Sequence, residues 1–103
     1  MQILINTDNH IESTQELTQQ TQAVVESTLE RFSTQITRVE VHLSDENSHK
    51  GGFDKRCVME ARLEGMQPIA VTDHAETMEQ AVNGSADKLE KLLDHTLGRL
   101  TDH

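Results

Sequence analysis

Aromatic residues are almost missing from this 103-residue chain, which has Phe32, Phe53, no tryptophan and no tyrosine. Its core must therefore be aliphatic, built from Ile, Leu, Val, Met and Ala. Cys57 is the only cysteine, so no intramolecular disulfide can form, and a cytoplasmic setting is the natural expectation. Positive charge is scarce as well: nine Lys and Arg stand against 18 Asp and Glu, a formal net charge of −9. That balance excludes indiscriminate nucleic-acid binding, which needs many cations to displace counterions from phosphates. It leaves room for a local basic patch. No apolar run approaches the roughly 18 residues that span a membrane. The start, Met1-Gln-Ile-Leu-Ile-Asn6, turns polar without a basic flank, so no cleavable signal is expected. The length suits one domain, 1–103.

What is present is periodicity. Residues 55–64 alternate cleanly: Cys57, Met59, Ala61 and Leu63 point one way, and Arg56, Glu60, Arg62 and Glu64 the other. A second strand is expected over 36–44, with Thr37, Val39, Val41 and Leu43 inward and Arg38, Glu40 and His42 outward. Short strands are expected at 2–6, around Ile3 and Ile5, and at 67–72, around Ile69 and Val71. Gly65 makes the turn between the last two strands, and Pro68, without an amide hydrogen, belongs at a strand start or an edge. Three- and four-residue steps from Leu17 to Phe32 mark a helix opened by a Ser13/Glu16 capping box. The same logic at Asp73 and Glu76 starts a second helix, with an apolar face of Met78, Ala81, Val82, Ser85, Leu89, Leu92, Leu93, Thr96 and Leu100. Gly84 inside it points to a close packing contact. The expected class is α+β, a single β-α-β-β-β-α domain whose four-stranded sheet carries both helices on one face.

No enzyme is expected. Cys57 falls on the inward side of its strand and reads as a small buried hydrophobe. The histidines are scattered, and only His42 and His49 could meet across a hairpin, so no metal site is expected. Gly51-Gly52 is not followed by the Lys-Ser or Lys-Thr of a phosphate loop. No cofactor and no small-molecule substrate are implied.

The basic residues remain. Lys50, Lys55 and Arg56 fall within seven positions, opposed there only by Asp54, on a glycine-containing loop that can reach phosphates. Arg38 and Arg62 would stand on the open sheet face, and Lys88, Lys91 and Arg99 on the outer side of the second helix. For each, the plainer reading is a surface charge paired with a nearby acid, such as Arg62 with Glu40 or Glu60.

The element order, the loop Gly51-Gly-Phe-Asp-Lys-Arg-Cys57, and the last helix with Met78-Glu-Gln-Ala-Val82 and Asp87-Lys88-Leu89 resemble the ribosome hibernation-promoting factor and ribosome-associated inhibitor family, the sigma-54 modulation or S30EA type. The resemblance spans nearly the whole chain. It implies a small cytoplasmic protein that binds the small ribosomal subunit near the messenger and transfer RNA channel, without catalysis, through basic residues on ribosomal RNA. By position it implies RNA-binding roles for Lys88 and Lys91 of the last helix and for Arg38 and Arg62 of the strands, with Lys50, Lys55 and Arg56 as the best-kept contacts. The chain departs from the hibernation type in its last helix, where Glu90 to Thr96 holds one base and two acids. The first helix is acidic too, and the longer extension that some members use to pair ribosomes is not found in these 103 residues. Each lost phosphate contact weakens RNA affinity. An alternative therefore stands beside the ribosome reading: a protein-interaction or stress-adaptor domain that kept the fold and offers acidic helices to a basic protein partner. Self-association through a sheet edge is a third reading. The start of the last helix, with Asp73, Glu76 and Glu79, argues against the double-stranded RNA-binding mode.

Overall fold

The computed structural model describes residues 1–8, 11, 14–46 and 54–101, with residues 99–101 described by backbone alone. Four strands and two helices follow in the order β1 (Gln2–Thr7), α1 (Gln15–Leu29), β2 (Ile36–Asp45), β3 (Lys55–Leu63), β4 (Ile69–Ala75) and α2 (Met78–Thr101), with a short 3-10 turn at Glu30–Phe32. The sheet order is β1-β2-β3-β4. β3 pairs antiparallel with both neighbours, whereas β1 runs parallel to β2. A parallel pair needs a crossover, and α1 supplies it.

The strand alternation decides which face is covered. Val39, Val41, Leu43, Cys57, Met59, Ala61, Leu63 and Val71 are buried on one side of the sheet. They meet Val25 and Leu29 of α1 and Ala81, Val82, Ala86, Leu89 and Leu93 of α2 in one aliphatic core. The residues of opposite parity, Arg38, Glu40, His42, Glu60, Arg62, Thr72 and His74, stay exposed or half-exposed. Both helices therefore cover one face and leave the other open, as the alternation predicts.

Several boundaries differ from the sequence expectation, each for a local reason. The register of β2 against β3 shifts between Ile36 and Arg38. The irregularity turns Ile36 inward and buries it, while Thr37 is exposed and donates its hydroxyl to the Arg62 carbonyl at 3.0 Å. The expected inward Thr37 is thus corrected. The cap of α1 is Thr14, whose side chain accepts from the Leu17 amide at 3.0 Å; Ser13 lies outside the described residues. Asp73 does not open the second helix. β4 runs on through Asp73 and His74 to Ala75, and Thr77 caps α2 by accepting from the Gln80 amide at 3.1 Å. Cross-strand pairing with Cys57 and Arg56 outweighs the capping pattern there. Leu92, expected on the apolar face, is 43% exposed, and Ala86 and Leu97 take buried places instead. Gly65 sits at φ +74°, a left-handed conformation that glycine adopts without a Cβ penalty, and makes the β3–β4 turn.

Candidate nucleic-acid interface

The basic residues singled out by sequence do not fall on one surface. Arg38, Arg56 and Arg62 share the open face of the sheet. Arg38 and Arg62 are direct cross-strand partners, with Glu40 and Glu60 paired in the next row. Like charges directly opposite repel, and here the acids of the neighbouring row relieve them, along each strand and across one diagonal. Glu40 takes Arg38 at 3.1 Å and Arg62 at 3.2 Å, and Arg62 also meets Glu60 at 3.2 Å. The Glu40 side chain is only 19% exposed and is the hub of this network. Arg38 Nε is buried without a hydrogen-bond partner. The expectation that Arg62 pairs with Glu40 or Glu60 holds for both.

Arg56 lies three rows further along the same face. It pairs with Glu46 at 3.4 Å, and Glu46 also meets His74, the cross-strand neighbour of Arg56, at 3.2 Å. Lys55 has the opposite parity. It stands at the end of the helix-covered side, opposite Asp45, and the two meet at 2.8 Å with the Asp45 side chain 9% exposed. Counting acids along the loop finds only Asp54 beside Lys55 and Arg56. Counting across the hairpin finds Asp45 and Glu46, because the residues that leave β2 return beside those that enter β3. Lys50, together with Gly51, Gly52 and His49, lies outside the described residues.

On α2 the two lysines differ. Lys88 Nζ donates to Asp73 Oδ1 at 2.7 Å and to the Thr72 carbonyl at 2.9 Å. Lys91 is exposed, and among the lysines and arginines whose side chains are described it is the one for which the structure shows no ion pair. Arg31, which sequence reading did not place in the site, packs 4.4 Å over the Phe32 ring and pairs with Asp94 at 3.1 Å. No cluster of metal-ligating residues occurs among the described residues. Cys57 is fully buried. Burial pushes its thiol pKa from 9.0 to about 11, with the nearby Asp73 carboxylate adding to the rise and Ser85 opposing it. A thiol held protonated in this way is not a nucleophile.

A family model described as sigma 54 modulation protein / S30EA ribosomal protein matches residues 4–101. The chain belongs to that family. Two solved structures share the fold of this S30EA-family chain. The N-terminal domain of Protein Y from Thermus thermophilus superposes with a TM-score of 0.76 at 17% identity, covering 93% of this chain and 99% of that one. A ribosomal subunit interface protein from Coxiella burnetii gives a TM-score of 0.74 at 17% identity, covering 95% and 99%. No curated protein sequence matches the chain. In this S30EA-family member the open sheet face combines three arginines with an acid for each of them. It is a surface on which a phosphate must compete with a carboxylate for every guanidinium.

Proposed function

We propose that this chain is a ribosome-associated translation modulator of the hibernation type, acting in the cytoplasm and binding the small subunit through ribosomal RNA phosphates without catalysis. The observation that carries the reading is the S30EA ribosomal protein match over residues 4–101. A relative of the same fold named as a ribosomal subunit interface protein supports it, and no helix among the described residues is long and apolar enough to cross a membrane. The RNA-binding set is Lys50, Lys55, Arg56, Arg38, Arg62, Lys88 and Lys91. Arginine presents several donors in a planar fork, so Arg38, Arg56 and Arg62 can exchange or share their carboxylates with a phosphate. Lys91 has no carboxylate to leave. Lys88 reaches RNA only by giving up Asp73 and Thr72.

The pairing of six described cations favours a second reading, a fold-retaining adaptor whose acidic helices meet a basic protein. Co-sedimentation with small ribosomal subunits at roughly 50 and 200 mM salt separates the two, because phosphate contacts lose affinity steeply over that range. Binding that falls with salt and disappears on reversing Lys50, Lys55 and Arg56 to Glu supports the ribosome reading. Failure to sediment with subunits at low salt refutes it. Capture of a basic protein, lost on reversing Glu16 and Glu26 of α1 and Glu30 of the turn that follows it, would then establish the adaptor.

A further inference from the structure

The two edges of the sheet are built differently. At the β4 edge, Pro68 precedes the strand, Asp73 and His74 lie within it, and the Lys88 ammonium occupies the Thr72 carbonyl. Proline and inserted charge are the usual devices that stop another strand from pairing with an edge. β1 has none of them. Gln2-Ile-Leu-Ile-Asn-Thr7 carries no charge, no proline and no glycine. Among the described residues no backbone hydrogen bond is made by β1 on the side away from β2. Of the four large hydrophobics that are exposed among the described residues, Met1 at 39% and Leu4 at 36% belong to this edge. Ile3 and Ile5 are only partly buried against the core.

The neighbouring flank of α1 is also nearly free of charge. One side of the helix, with Leu17, Gln20 and Val24, faces Glu79 and Val82 of α2. The other side, by helical spacing, presents Gln15, Thr18, Gln22 and Glu26. Glu26 and Glu30 stand beside Met1, and Glu26 already accepts from the Gln22 side-chain amide at 3.0 Å. An uncharged strand edge, beside a helix flank whose acids Glu26 and Glu30 lie at the Met1 end, forms a strip of low charge on a chain of net charge −9.

We propose that β1 is a docking edge for a second copy of this chain, joining two sheets into one eight-stranded sheet across a twofold axis. The strand is self-complementary in the way an isologous contact needs. Antiparallel pairing about Leu4 sets Leu4 against its counterpart on the open face, Ile3 against Ile5 on the covered face, and Gln2 against Asn6 at the ends. A shift by one residue would place Leu4 opposite an isoleucine of the wrong face. Elsewhere two copies of such an acidic chain repel, so this strip is where a second copy can approach. The contact is small, and the dimer is correspondingly weak and strengthened by salt, the opposite of the salt response of RNA binding.

Sedimentation velocity between about 10 μM and about 1 mM protein, a range suited to small interfaces, tests the proposal. The expected result is a monomer–dimer equilibrium that shifts toward dimer between roughly 50 mM and 1 M salt, as the screening length falls to about 3 Å. Leu4→Lys, on the exposed face, should weaken association by at least about tenfold, with an unchanged circular dichroism spectrum. Ala70→Lys on β4 should leave it unaltered. Mild oxidation of Leu4→Cys should give a covalent dimer, because cross-strand Cα distances of about 4.5–5.5 Å fall within disulfide reach; Ala70→Cys should not. A chain that stays monomeric throughout, or a dimer indifferent to Leu4→Lys, overturns the proposal. Neither result bears on ribosome binding, which uses different residues.

Discussion

Replacing Gly84 by alanine should destabilise the protein, although alanine is the better helix former. In an exposed helix interior the exchange is worth about 1 kcal/mol in favour of alanine. Here a Cβ at position 84 would overlap the Asp73 carboxylate, with Cγ at 2.8 Å and Oδ2 closer still. Asp73 is short, stands on β4, and is held in place by Lys88 at 2.7 Å. Relief requires the carboxylate to rotate off Lys88 or α2 to lift from β4. Overpacking of this kind costs roughly 1–3 kcal/mol. The ion pair adds little, because the Lys88 side chain is 52% exposed and such pairs contribute about 1 kcal/mol or less. Two carboxylate atoms overlap the Cβ, so the cost falls in the upper part of that range, about 2–3 kcal/mol; less the helix gain of about 1 kcal/mol, the net loss is about 1–2 kcal/mol, which for a chain of this size lowers Tm by roughly 4–16 °C. Urea unfolding followed by far-ultraviolet circular dichroism measures it. The double variant Gly84→Ala/Asp73→Ala removes the overlap and should recover stability relative to additivity, by about 1–3 kcal/mol of coupling. A Gly84→Ala protein as stable as the parent, or a cycle without coupling, would refute the packing argument.

Other consequences can be checked in the same way. The folded Cys57 thiol ionises near pH 11 against 9.0 for an exposed one, so the folded state resists the thiolate that the unfolded state forms. The contribution is full below pH 9 and declines between pH 9 and 11, by about 2–3 kcal/mol. Cys57→Ala should flatten that slope in urea titrations at pH 8 and 10.5, and an unchanged slope would assign it to another group. Glu40→Gln removes the hub shared by Arg38 and Arg62, and should strengthen small-subunit binding at low salt while lowering thermal stability; weaker binding would show that the acid positions the arginines for RNA. Thr77→Ala should cost about 1 kcal/mol through the lost α2 cap, seen as a lower urea midpoint, whereas Asp73→Ala should leave the position of the helix start unchanged by amide exchange.

The strands and the covered face were legible because period-two alternation is dense from Arg38 to Leu43 and from Arg56 to Leu63. The start of α2 was not, because Asp73 and Glu76 satisfy a capping pattern while cross-strand partners hold Asp73 and His74 in β4. Local sequence carries the first signal, and only the tertiary pairing carries the second. The charge of the candidate site was misjudged for a related reason. Lys55 and Arg56 meet their acids across the hairpin, ten residues away in each case, a distance visible only once the register is known. The reason for Gly84 was legible in kind, as a close contact, but not in its partner.

The Asp45–Lys55 pair has a consequence for how the chain chooses between rival alignments. A slip of one residue between β2 and β3 would turn the apolar set outward and is rejected by the alternation itself. A slip of two residues would not. In one direction Val39, Val41 and Leu43 would still face inward, now against Leu63, Ala61 and Met59, and the aliphatic core, with almost no aromatic shapes to match, discriminates weakly between that arrangement and the native one; in the other direction Leu43 would lie opposite Lys55. After that slip, the nearly buried Asp45 carboxylate would lie opposite Cys57 or beyond the end of β3, without its ammonium, and an uncompensated buried charge is costly. The pair therefore acts as a proofreading contact at the far end of the hairpin, penalising the one misalignment that hydrophobic patterning tolerates.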